Sequence, residues 1–154
     1  MDLVRRHTFT VCGWAVDTDA EHNDRDLKAL YDDFFGSGKD AILRGLAAKP
    51  GLIGLTWYTT PDHTRYTYLL GGEVNAVSPI PDGALTRTLP TSRYAVASYE
   101  VAKDIIAAWT EFFFTDIPLA GWVPNLDINL FFEYYPDGVD GDYQLWVPVV
   151  PADT

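Results

Sequence analysis

The segment Asn129-Leu130-Phe131-Phe132-Glu133-Tyr134-Tyr135-Pro136 sets one carboxylate in the middle of a run of aromatics. Along an extended strand side chains alternate between faces, so Phe131, Glu133 and Tyr135 point one way and Leu130, Phe132 and Tyr134 the other. A carboxylate between two rings is costly to desolvate unless something pairs with it, and 11 basic residues against 22 acidic ones leave little to do so. Two chemistries fit. Glu133 can serve as the counter-charge for a ligand cation, with Phe131, Tyr135 and rings such as Trp57, Tyr58 or Trp146 offering faces worth roughly 0.5–2 kcal/mol to that cation. Alternatively, an apolar pocket raises its pKa towards neutrality and it acts as general acid or base, as in a hydrolase of strained or electrophilic compounds. Periodicity alone also fits a solvent-facing glutamate, or one paired with Arg65 or Arg93.

Other chemistries lack their residues. His7, His22 and His63 are scattered without ligand spacing, so no metal site is expected. There is no Gly-x-Ser-x-Gly elbow, and the single cysteine, Cys12, lies in an apolar run with no base beside it, as a buried inert thiol would. The acidic stretch from Asp17 to Asn23 lacks the glycine and terminal glutamate of a calcium loop and reads as a solvated turn. Gly36-Ser37-Gly38-Lys39 lacks the upstream glycine of a phosphate loop: Asp33 stands there, and Asp40 follows the lysine. No cofactor is expected.

At 154 residues, 47% of them apolar, the chain is long and hydrophobic enough to form one domain with a real core, and disorder is excluded. A net charge of -11 repels a phosphate backbone, so direct nucleic-acid binding is not expected. Met1-Asp2-Leu3-Val4-Arg5-Arg6 does not lead into the apolar stretch of a signal peptide, and no segment is long and apolar enough to span a bilayer. The expectation is a cytoplasmic protein without a membrane partner.

The elements that must position Glu133 emerge from pattern. Phe9, Val11, Trp14 and Val16 predict a first strand, with Gly13 as a candidate bulge. Leu27, Leu30, Tyr31, Phe34 and Phe35 trace one face of a helix capped by Asn23 or Asp24. A short helix comes next from Asp40 to Ala48, then a hairpin of Leu52–Thr59 and Arg65–Val74 turning through Thr60-Pro61-Asp62-His63. Tyr66 and Tyr68 share one face of that second strand, and Glu73 takes the other, as an exposed residue or one near a module edge. After a proline-rich connector comes a strand from Arg93 to Tyr99. A helix carries Ala102, Ile105, Ile106, Trp109, Phe112 and Phe113 on one face, with Phe113 in the core, and strands Ile128–Tyr135 and Tyr143–Val150 close the chain.

The order strand-helix-strand-strand thus occurs twice: module one at about 5–75, a connector at about 76–91 and module two at about 92–151. Residues 1–154 then make a single α+β domain of two pseudo-symmetric modules, with helices on one sheet face and a ligand groove between modules on the face left free.

Tyr66-Thr67-Tyr68-Leu69-Leu70-Gly71-Gly72-Glu73-Val74 resembles the tyrosine-rich strand of GyrI-like small-molecule-binding domains, the effector-binding domains of bacterial multidrug-responsive transcription activators. Leu89-Pro90 with Tyr94-Ala95, Trp109 in the second helix, Phe132-Glu133-Tyr134-Tyr135 and Leu145-Trp146-Val147-Pro148-Val149 are similar to that family in order and spacing across nearly the whole chain. The resemblance implies a twofold pair of modules around a groove for amphipathic, cationic aromatic compounds, with Glu133 as the contacting glutamate and Trp109 among the rings that reach it. It also implies a choice of roles: effector domain, free-standing binding protein for sequestration or sensing, hydrolase of cyclopropane-bearing compounds, or regulator that takes a protein partner. Where the family carries a His-x-Gly-Pro stretch, this chain reads Ser98-Tyr99-Glu100-Val101, and no helix-turn-helix segment precedes the domain.

Overall fold

The computed structural model describes residues 1–153. The chain opens with β1 (Asp2–Arg6), β2 (Phe9–Asp19), α1 (Asn23–Gly36), α2 (Lys39–Leu46), β3 (Leu52–Tyr58) and β4 (Arg65–Val74). Then come β5 (Leu85–Leu89), β6 (Ser92–Tyr99) and α3 (Ile105–Glu111), which runs through a π-helical segment (Phe112–Asp116) into α4 (Ile117–Leu119). The chain ends with β7 (Trp122–Pro124), β8 (Phe131–Tyr135) and β9 (Tyr143–Pro151).

The strands form one antiparallel sheet in the order β1-β6-β9-β8-β3-β4-β2-β5, with β7 paired to β9. This order is a palindrome of the two modules about the β8–β3 junction, so the α+β, two-module architecture is present. Three strands went unanticipated, the three-residue β7 among them. β1 lies in the N-terminal segment and β5 inside the connector, and each pairs with the first long strand of the other module, β1 with β6 and β5 with β2. Both are short, and both depend on a partner far away in sequence. Gly13 is not a bulge, because β2 pairs with β4 in unbroken register from Thr10 to Asp19. That register also draws Asp17 to Asp19 into the strand rather than the loop. No side chain caps α1, and His22 precedes it with its ring nitrogen 2.7 Å from Asp19.

Alternation along the strands sends two sets of residues to two faces. On one face Phe34 of α1 and Leu43 of α2 pack with Trp14, Tyr68 and Leu70, while Phe112 and Ile117 from the continuation of α3 pack with Ala95, Leu145 and Val147. The opposite face is not a free groove, as the pattern suggested; it curls onto itself around Val11, Leu55, Leu69, Tyr94 and Phe132. Phe9 on β2 meets Phe132 on β8 edge-to-face at 5.8 Å, although three strand spacings of a flat sheet would hold them about 14 Å apart. Across the same curl Arg6 on β1 donates to Glu73 on β4, with Lys49 3.7 Å from the other carboxylate oxygen. Glu73 is therefore a shielded ion-pair partner and not an exposed residue.

The curl requires close backbone approach where Gly13 faces Gly71. A Cβ on Gly71 would lie 1.8 Å from the carbonyl oxygen of Cys12, a backbone atom that cannot step aside. Gly71→Ala is expected to destabilise the protein by roughly 2–4 kcal/mol, through overpacking against main chain. Urea unfolding at unchanged m-value is the measurement that checks it.

Candidate functional site

Glu133 sits at the middle of β8, 7% exposed, with Gly54 of β3 on one side and Leu145 of β9 on the other. Its face of the sheet is the helix-bearing one, in the gap between α1 and α3. That gap is a cavity of about 620 Å³, within the roughly 300–1,000 Å³ usual for small-molecule sites. Its floor carries Phe131, Glu133 and Tyr135 from β8, then Thr56 and Tyr58 from β3 and Tyr66 and Tyr68 from β4. Leu27 and Tyr31 of α1 form one wall; Ile105, Ile106 and Trp109 of α3, with Phe113 and Phe114 of the π-helical segment, form the other.

Three neutral donors hold the carboxylate. Tyr68 donates to Oε1 at 2.6 Å, Tyr135 to the same oxygen at 2.7 Å, and Trp109 Nε1 to Oε2 at 2.9 Å. Tyr31 extends the network, its hydroxyl 2.6 Å from that of Tyr68. No lysine or arginine forms an ion pair with Glu133 among the described residues, Arg65 being paired with Asp19 instead. Burial pushes the Glu133 carboxyl above the usual carboxylate range, while the bonds from Trp109, Tyr68 and Tyr135 act in the opposite direction. Burial together with the neighbouring carboxylate raises Tyr31, Tyr68 and Tyr135, so the hydroxyls stay protonated as donors.

The space for this arrangement comes from a missing side chain. A Cβ on Gly54 would lie 2.1 Å from the Tyr68 hydroxyl and 2.8 Å from Glu133 Oε1, so only glycine leaves room for the bond between them. Tyr58, the last residue of β3, is pinned by Asn129, whose side-chain amide bonds its backbone N–H at 3.0 Å and its carbonyl at 2.9 Å. Asn129 adopts a left-handed φ of 51° to do so. His63 stacks on the Tyr58 ring with centroids 4.2 Å apart.

Of the residues singled out from sequence, Glu133, Phe131, Tyr135, Tyr58 and Trp109 come together in this cavity. Trp57 and Trp146 do not. Trp57 is next to Tyr58 on one strand, so alternation sends it to the other face, where it packs beside Arg87. Trp146 pairs in register with Phe132 and stacks on its ring at 5.4 Å, again on the curled face. Phe113, read as core, lines the cavity, while Phe112 and Ile117 are fully buried. Phe113 follows Trp109 by one helical turn and so keeps to the cavity side, while the core side runs Ala108, Phe112 and then Ile117, five residues on across the π-helical segment. Tyr31, Tyr66, Tyr68 and Phe114 were not singled out as site residues. For the β4 tyrosines the signal was available, since Tyr66 and Tyr68 pair in register with Tyr58 and Thr56 and must share their face.

The fold and site together define an effector-binding domain of GyrI-like fold. The chain belongs to the Cass2 family, integron-associated effector-binding proteins, whose model matches residues 2–149. No curated protein matches the sequence significantly. Among solved structures the chain is similar to SAV2435, solved bound to tetraphenylphosphonium, at TM-score 0.79 and 18% identity over 97% of this chain and 93% of that one. It is also similar to a putative transcription regulation protein of Staphylococcus aureus MU50, at TM-score 0.71 and 16% identity over 96% of each chain. An integron cassette protein from the mobile metagenome of Vibrio cholerae aligns at TM-score 0.70 and 16% identity, over 97% of this chain and 95% of that one.

Ionising Glu133 costs the folded state more than the unfolded one. The stability tied to its protonation is present in full below the ordinary carboxylate pKa and is lost as pH rises through the raised folded-state value. Glu133→Gln removes this dependence. The unfolding temperature of Glu133→Gln relative to wild type, both without ligand, is therefore expected to rise as pH increases across that window, as measured by thermal melts. The opposite trend would mean that the hydrogen bonds outweigh desolvation.

Proposed function

We propose that this protein binds small amphipathic organic cations with aromatic groups, in order to sequester or sense them. The observation that carries the reading is a buried carboxylate with three neutral hydrogen-bond donors and, among the described residues, no cationic partner, facing a cavity walled by aromatic rings. A ligand cation would supply the missing charge, and the ring faces of Trp109, Phe131 and Tyr58 would each add roughly 0.5–2 kcal/mol as water is excluded. The fold likeness to SAV2435, which was solved with a phosphonium cation, supports the same class of ligand. Base catalysis has less support, because three donors already occupy most of the roughly four lone-pair sites of Glu133 and leave little for a water nucleophile.

Calorimetric titration with tetraphenylphosphonium and with neutral triphenylphosphine oxide tests this. The cation is expected to bind, the neutral compound to bind more weakly, and Glu133→Gln to lower cation affinity about 10- to 100-fold, or about 1.4–2.8 kcal/mol. Affinity for the cation should also fall as pH drops through the raised pKa of Glu133, since only the ionised form attracts it. Equal affinity of Glu133→Gln and wild type for the cation would show that charge pairing is not the basis of binding.

A further inference from the structure

A second cleft, of about 280 Å³, lies at the β1 edge of the sheet and shares no lining residue with the aromatic cavity. It is built on β1 and β6, where Arg5 stands directly opposite Arg93 in the antiparallel register. Residues opposite each other leave the sheet on the same face, so two guanidinium groups extend side by side, an arrangement that opposes strand pairing. The chain has twice as many acidic as basic residues, 22 against 11, yet neither arginine forms an ion pair among the described residues. Arg93 instead lies over the ring of Trp122, 5.2 Å from its centroid, which orients the guanidinium without neutralising it. Thr91 and Ser92 bring hydroxyls to the same cleft, and Val149 and Pro151 an apolar wall.

A charge on an edge strand such as β1 discourages unwanted strand addition, and Arg5 alone would do that. It does not account for a second arginine facing it from the inner strand, nor for the indole beneath. We propose that this cleft is an oxyanion site for a phosphate monoester dianion borne by a small organic molecule. Each guanidinium presents a planar fork that matches phosphate oxygens, and the two positive charges balance the two negative ones of the monoester, whereas a carboxylate would balance only one. The hydroxyls of Thr91 and Ser92 can donate to further oxygens, and Trp122 with Val149 and Pro151 can cover the ester group.

The test is NMR on the full chain at low ionic strength, following the arginine Nε–Hε and tryptophan indole signals during titration with phenyl phosphate, inorganic phosphate and benzoate. Expected are saturable shifts at Arg5, Arg93 and Trp122, tightest for phenyl phosphate, weaker for inorganic phosphate and weakest for benzoate. Arg5→Gln and Arg93→Gln should each weaken phenyl phosphate binding by about tenfold or more. Both side chains are exposed, so the variants are expected to keep the wild-type unfolding temperature. Absence of saturable shifts in the wild type overturns the site, whatever the variants do. Unchanged binding in both variants assigns the phosphate to general surface charge and overturns it equally. Benzoate binding as tightly as phenyl phosphate overturns the dianion, and inorganic phosphate matching phenyl phosphate overturns the organic ester group.

Discussion

A carboxylate inside an aromatic box stays an anion only if its surroundings replace the water it has lost. For Glu133 that water is replaced by two phenols and an indole, all neutral. Removing an ion from water costs several kcal/mol after relaxation. Each hydrogen bond to a charged acceptor returns about 1.5–3 kcal/mol, so three of them come close to offsetting that cost without eliminating it. The upward displacement of the carboxyl pKa expresses the remainder. A salt bridge would have closed the gap, but it would also have consumed the charge that a ligand needs. Much of the site's construction stems from this constraint: Gly54 makes room, Tyr31 backs Tyr68, and Trp109 turns its N–H inward from the opposite wall.

The two modules divide this task unevenly. Module two supplies the acid, one phenol and the indole, while module one supplies the other phenols and the glycine. The junction of β3 with β8 brings the two sets together, so the seam of the sheet is also the floor of the cavity. The wall on the module-two side is one face of α3 and its continuation, Ile105, Trp109 and Phe113 recurring on it every fourth residue.

How much of this could be read from the chain depended on the range of the interaction. Alternation in β8 correctly put Phe131, Glu133 and Tyr135 on one face, and the turn residues 60–63 marked the β3–β4 hairpin closely, because both signals are local. The same alternation should have separated Trp57 from Tyr58, which cannot both face one cavity. Phe113 was misread because this helix carries aromatics both on its core side and on its cavity side, and spacing alone does not say which side meets the core. β1 and β5 carry charged and polar residues with little burial pattern, and their partners lie in the other module, so nothing nearby marks them as strands. Tyr31 was read correctly as part of a helical face, but which strand that face meets is decided only by tertiary packing. The helix-bearing face became the site and the bare face became core, because Gly13 and Gly71 let the sheet curl until its bare side met itself.

The exchange of β1 and β5 bears on how the chain responds mechanically. Each half lends its leading strand to the other's border, so separating the halves would have to peel two short strands as well as part β3 from β8. The halves are thus buckled together at three places along the sheet, and every one of these pairings opposes their hinging apart. The floor beneath Glu133 is tied into both halves by main-chain bonds, whereas the helices above it are held to the sheet by side-chain packing.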